Sequence, residues 1–193
     1  MATSVRGQRE CAALRPRKSY LRTVAAQQTI RDMKLLALIR HADAENLQSD
    51  MIDLDRPLSI EGRRHATAVG HYTADQGIAV DAIVSSLALR ARQTAELISA
   101  AAQLNAPTRF DERVYEGTAG TLLEVIQELP DQLGNVLIVG HNPSLEQLFR
   151  TLTSKRVTLR PATLVVLKVK LEHWAECGTD SCELDRVFRV QEN

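Results

Sequence analysis

The sequence predicts an α/β protein, a three-layer αβα sandwich whose mostly parallel central sheet carries helices on both faces. Three observations predict it. From Met33 onward, short continuous apolar runs alternate with longer segments of helical period. The length of 193 residues suits one buried core and is short for two. No internal repeat or low-complexity tract appears along the chain.

The elements follow in order. Leu35–Ile39 is wholly apolar, as a strand covered on both faces reads. A helical segment follows at Ser59–Asp75, then a strand run at Ala79–Val84. Within Leu87–Leu104, the residues Leu87, Ala91, Thr94, Ala95, Ile98, Ala101 and Ala102 recur at three- and four-residue steps, which makes one apolar helix face. Thr121–Leu129 gives a third helix and Val136–Val139 a third strand. Asn142-Pro143 reads as an N-cap followed by proline at the first helical position, so a further helix should begin there. Thr163–Val169 and Val187–Val190 supply a C-terminal pair of strands.

Only 4% of residues are aromatic, so aliphatic side chains must fill the interior. The formal charge is zero but unevenly spread. Residues 1–32 hold seven Arg or Lys against Glu10 and Asp32, leaving 17 basic and 22 acidic residues, a net of −5, for residues 33–193. A mildly acidic domain lacks the electrostatic footprint of a nucleic-acid binder. The first 32 residues lack the apolar core of a secretory signal. They read as a basic extension ahead of the true start at Met33, which opens directly into a strand pattern, with a transit-like or disordered arm as the alternative; residues 33–193 are expected to form the single domain. Three cysteines, Cys11, Cys177 and Cys182, do not make a secreted disulfide framework. No apolar stretch approaches the roughly 20 residues needed to cross a bilayer. A soluble, cytoplasmic protein is expected, monomeric and without membrane contact.

In an open parallel sheet, ligands collect beyond the carboxyl ends of the strands. The run Leu35–Ile39 ends in Arg40-His41, Ala79–Val84 ends in Ser85-Ser86 shortly before Arg90, and Val136–Val139 ends in Gly140-His141. Two imidazoles and two guanidinium groups should therefore converge, joined by the amino terminus of a helix after Asn142. Such a set suits a phosphoryl group, because arginine offers paired donors and fixed positive charge stabilises phosphoryl transfer without a metal. No cofactor or metal is expected, since a divalent cation would be repelled by Arg40 and Arg90. The chain also lacks a His-Glu-x-x-His motif and a nucleotide-binding phosphate loop.

Arg40-His41-Ala42, Ser86-x-x-x-Arg90-Ala91-x-Gln93-Thr94 and Val139-Gly140-His141-Asn142 resemble, in order, the motif series of branch 1 of the histidine phosphatase superfamily. Asp55-Arg56-Pro57-Leu58-Ser59-x-x-Gly62 resembles the connection to the first helix in the SixA-type phosphohistidine phosphatases. The resemblance spans about residues 33–170 and implies a phosphoglycerate mutase-like fold. It implies that His41 is the nucleophile, forming a phosphohistidine that water later hydrolyses. It also implies that Arg40 and Arg90 clamp the phosphate, with His141 and Asn142 completing the phosphate-binding group. Ala42 departs from the glycine usual after Arg-His and reads as a mark of the SixA-type branch. Relatives acting on phosphate esters carry a glutamate acid between the second arginine and the second histidine. Glu116 in Val114-Tyr115-Glu116-Gly117 is the candidate, with Glu112 and Asp43 in reserve; an exposed loop carboxylate is the other reading of Glu116.

A phosphoramidate leaving group is readily protonated by solvent, whereas an alkoxide gains more from a positioned acid. Only 48 residues separate His41 from Arg90, leaving little room for inserts that would roof the pocket. Both points favour a phosphorylated histidine on a phosphotransfer protein as substrate. A small phosphate ester such as a sugar phosphate is the alternative, and a non-catalytic phosphate-binding protein is the third reading. His65 and His71 read as helix-face residues, and Cys177 and Cys182 as members of a C-terminal loop.

Overall fold

The protein is described by a computed structural model over residues 33–191. The expectations for residues 1–32 lie outside the described residues. In chain order the elements are β1 (Leu35–Arg40), α1 (Ile60–Asp75), β2 (Ala82–Ser85), α2 (Leu89–Ala101), β3 (Thr108–Phe110), α3 (Arg113–Glu116), α4 (Ala119–Gln127), β4 (Asn135–Gly140), α5 (Ser144–Thr153), β5 (Leu164–Val169) and β6 (Cys182–Phe188). Two 3-10 turns, Asp53–Asp55 and Trp174–Glu176, complete the set.

The six strands form one sheet in the order β3-β2-β4-β1-β5-β6. β1, β2, β3 and β4 pair in parallel, while β5 runs antiparallel to both β1 and β6. The expected three layers follow from alternation along each strand. Leu36, Leu38, Val136 and Ile138 pack with Leu122, Val125 and Ile126 of α4 and with Leu145, Leu148, Phe149 and Leu152 of α5. Ala37, Ile39, Leu137 and Val139 point the other way, onto Ala66 and Val69 of α1 and Ala91, Ala95 and Ile98 of α2. The α5 residues recur at helical spacing and are fully buried, each contributing about 1.5–3 kcal/mol from removal from water. Gly70 lets α1 close on α2, because a Cβ there would meet the backbone of Ile98 and the side chain of Ala101.

Ser59 caps α1 by accepting the Gly62 N–H, and Thr118 caps α4 through Thr121. Four expectations need correction. The second strand begins at Ala82 and not Ala79, because Asp81 turns outward to accept the N–H groups of Gly134 and Asn135. The last strand is Cys182–Phe188 and stops before Val190; its polar residues pair along β5 through a register shift at Val166/Leu167. Cys182 therefore opens a strand, and with Cys177 it lies in the core. The helix after Asn142 begins at Ser144 with Pro143 as its N-cap residue and no side-chain cap. Among the described residues no helix is long and apolar enough to cross a membrane.

Candidate active site

The ladders of β1, β4 and β2 continue one residue beyond the strands, with His41 N–H donating to Gly140 O at 3.0 Å and Ser86 N–H to Val139 O at 3.0 Å. This carries His41, Ser86 and His141 to the carboxyl edge of the sheet together. The rings of His41 and His141 lie 4.9 Å apart, inclined at 55°.

His41 is 8% exposed. Its Nδ1 is 2.7 Å from the Ala42 carbonyl, which can only accept, so Nδ1 carries the proton and Nε2 keeps its lone pair. Arg90 Nε–H faces that lone pair at 3.3 Å. Burial pushes the His41 pKa down to about 4, with the charges of Arg90, Arg40 and Arg56 adding to it against the Ala42 hydrogen bond. The imidazole is neutral near pH 7. Burial likewise takes His141 to about 3, helped by His41 and Arg90, and its Nε2 is 2.8 Å from Ser86 Oγ.

The flanking motif residues hold this loop. Thr94 Oγ1 donates to Arg90 O at 2.7 Å and accepts the Ala42 N–H at 3.1 Å, tying the His41 turn to α2. Gln93 Oε1 accepts the Leu58 N–H at 2.8 Å, fixing the Pro57-Leu58 segment to the same helix.

The other expected residues stand in different relations. Arg40 turns Nη1 to the Leu159 carbonyl at 3.1 Å, while its buried Nε has no partner among the described residues. Burial lowers its pKa against the opposing charges of Glu146 and Asp43. Both amide protons of Asn142 are taken, by Glu146 Oε1 and Leu159 O at 2.9 Å each, so its side chain has no donor left for a phosphate. That departs from the expected phosphate-binding role. Of the carboxylates, Asp43 accepts the Ser59 hydroxyl at 2.7 Å. Glu116 and Glu112 are exposed and border a hollow of about 470 Å3 with Leu54, Leu87 and Tyr115. A larger hollow of about 710 Å3 is lined by Asp43, His65, Arg160 and Arg189 and by neither His41 nor His141.

Two residues escaped the sequence reading. Asp53, on the first 3-10 turn, receives Arg90 Nη1 on its carbonyl at 2.7 Å and Nη2 on its carboxylate at 2.8 Å. Tyr115 of α3 donates its hydroxyl to the same carboxylate at 3.1 Å and sets its ring edge-on to His141 at 5.5 Å. Against the burial that would raise it, Arg90 and Tyr115 hold the Asp53 carboxyl below the usual carboxylate range. Among the described residues, no group of three or more His, Cys, Asp or Glu is arranged to hold a metal ion.

The profile of the histidine phosphatase superfamily (branch 1) matches residues 36–137. This chain belongs to that superfamily. An uncharacterised protein of Mycobacterium tuberculosis is 34% identical over 149 residues, covering 72% of this chain and 90% of the relative. A structure assigned as a phosphohistidine phosphatase SixA, from Nakamurella multipartitia, is similar at TM-score 0.69 and 29% identity, over 81% of this chain and 96% of that one. A broad-specificity phosphatase of Saccharomyces cerevisiae is 33% identical over 90 residues, 45% of this chain and 39% of the yeast protein. Within the superfamily the chain is of the SixA type, and phosphatase chemistry goes with that membership.

Proposed function

We propose that residues 33–193 form one catalytic domain that dephosphorylates phosphohistidine on a phosphotransfer protein, through a phosphohistidine of its own at His41 and without a metal. The observation that carries the reading is the state of His41, neutral near pH 7, with Nδ1 bound to the Ala42 carbonyl and Nε2 turned toward Arg90. The Nε2 lone pair attacks phosphorus, the bond from phosphorus to the substrate's imidazole nitrogen breaks, and that nitrogen takes a proton from solvent. Water then attacks the phosphohistidine, releasing inorganic phosphate and restoring His41. Arg90 and Arg40 supply the positive charge that the transferring group needs, and His141 donates to it.

The substrate assignment is supported by the exposed position of Glu116, which makes no side-chain hydrogen bond among the described residues. A phosphoramidate has the weaker need for an acid there. The second reading, a small phosphate ester, is favoured by the hollow that Glu116 shares with Leu54, Leu87 and Tyr115, which could seat a compact leaving group. Turnover of a phosphorylated phosphotransfer domain, measured beside a panel of sugar phosphates, separates the two. Faster hydrolysis of the sugar phosphates by orders of magnitude overturns the first. Acid-labile label on the wild type and none on His41→Ala is expected; label on neither leaves only a phosphate-binding role.

A further inference from the structure

Arg90 meets its surroundings in two directions. Nε–H points to His41 Nε2, while Nη1 and Nη2 turn to the carbonyl and carboxylate of Asp53. Arg90 is 4% exposed and comes from α2, whereas Asp53 comes from the separate 3-10 turn before α1. A long guanidinium stem has many rotamers, and two bonds converging on one residue select a single plane for its head. The same carboxylate accepts the Tyr115 hydroxyl and lies 3.1 Å from Arg56 Nε. The Tyr115 ring in turn stands 5.9 Å from the Arg90 guanidinium. One carboxylate thus joins the 3-10 turn, α2 and α3 around the arginine.

We infer that Asp53 is a positioning residue for phosphoryl transfer: its carbonyl and carboxylate set the plane of Arg90 so that the edge carrying Nε faces a phosphoryl group on His41, with Tyr115 acting through Asp53. The inference rests on the reading that Arg90 binds that group. The competing idea is that the carboxylate merely plugs the arginine and must leave before phosphate enters. Two features favour positioning. Arg90 holds Asp53 and faces His41 at the same time, so the contacts coexist. The backbone carbonyl shares the grip, and a side-chain rotation would not release it.

The test uses p-nitrophenyl phosphate and the full chain, comparing wild type, Asp53→Ala, Asp53→Asn, Arg90→Lys and the double variant Asp53→Ala/Arg90→Lys. Asp53→Ala is expected to lower kcat on the order of 10- to 100-fold with a much smaller change in KM. Asp53→Asn should retain more, because its remaining oxygen still accepts from Nη2. The double variant should turn over no more slowly than Arg90→Lys alone, since lysine cannot make the paired bonds through which Asp53 acts. A purely structural role would instead multiply the two losses, and a plug would give Asp53→Ala a higher kcat or a lower KM than wild type; either result overturns the inference. Should Asp53→Ala not fold, the same cycle run with Asp53→Asn decides it. Arg90→Lys as active as wild type overturns the reading of Arg90 together with the inference, an outcome visible before Asp53 is considered.

Discussion

Arg90 Nε–H lies 3.3 Å from His41 Nε2, so the nitrogen proposed to attack phosphorus is faced by the group proposed to receive the phosphoryl oxygens. Attack and charge stabilisation are thereby built into one contact. Replacing Arg90 with alanine should lower kcat/KM on the order of 10²- to 10³-fold, because preorganised charge is worth most where water is excluded. Orthovanadate, which imitates the five-coordinate phosphorus, should inhibit the wild type and lose potency against Arg90→Ala by a comparable factor. EDTA should leave turnover unchanged. Initial-rate assays with and without each reagent check all three, and loss of activity on chelation would point to a metal that the proposed mechanism does not use.

The two buried histidines predict an unusual acid limb. With His41 at about 4, the free enzyme keeps its nucleophile neutral well below the ordinary histidine range, so kcat/KM should hold down to about pH 5 and fall through pH 4. Stability moves earlier. The unfolded chain binds protons at both histidines below about pH 6.5, and the folded one does not until about 4 and about 3. Stability from these groups is complete above pH 6.5 and is lost as pH falls toward the folded values. Denaturant midpoints between pH 7 and 4.5 should decline, and less steeply in His41→Asn. An activity limb near pH 6.5 would mean that His41 is solvated.

Ser86 Oγ, 2.8 Å from His141 Nε2, fixes the orientation of the second imidazole. If His141 donates to the phosphoryl group, His141→Ala should cost on the order of 10²-fold or more in kcat. Ser86→Ala removes the bond to His141, worth about 1 kcal/mol, along with the one that Ser86 Oγ accepts from the Ala88 N–H, and should cost roughly five- to tenfold. Steady-state kinetics of both variants check this ranking. A Ser86→Ala loss as large as that of His141→Ala would show that the serine does more than orient the ring.

How much of this could be read in the sequence depends on where each residue's partners lie. The central strands were legible because β1 and β4 are covered on both faces, and Leu35–Ile39 and Val136–Val139 are apolar without interruption. Their ends then located His41 and His141. β3 was illegible, since Thr108, Arg109 and Phe110 form an exposed edge with no apolar run. Asp53 and Tyr115 stand 62 residues apart, and no local pattern marks a carboxylate that bridges a loop, a strand-end helix and α3. Asn142 misled because its residue type fits a helix cap, whereas Glu146 and the Leu159 carbonyl compete for its side chain and win.

Glu116 offers the means to tie the site to its substrate class. It closes α3 at the rim of the hollow lined by Leu54, Leu87 and Tyr115, exposed to solvent. An alkoxide leaving group must be protonated as its bond to phosphorus breaks, and a positioned acid contributes on the order of 10²-fold to that step. A phosphorylated imidazole accepts its proton from water nearly as well. Glu116→Gln should therefore slow a sugar phosphate on the order of 10²-fold while leaving a phosphorylated imidazole, as in a phosphohistidine peptide, within about threefold of wild type. Parallel initial rates on the two substrates decide the matter. Equal loss on both would show that the acid serves any leaving group and would remove the main support for the phosphohistidine reading. Unchanged rates on both would make Glu116 a solvated carboxylate and move the search for an acid to Glu112, which borders the same hollow.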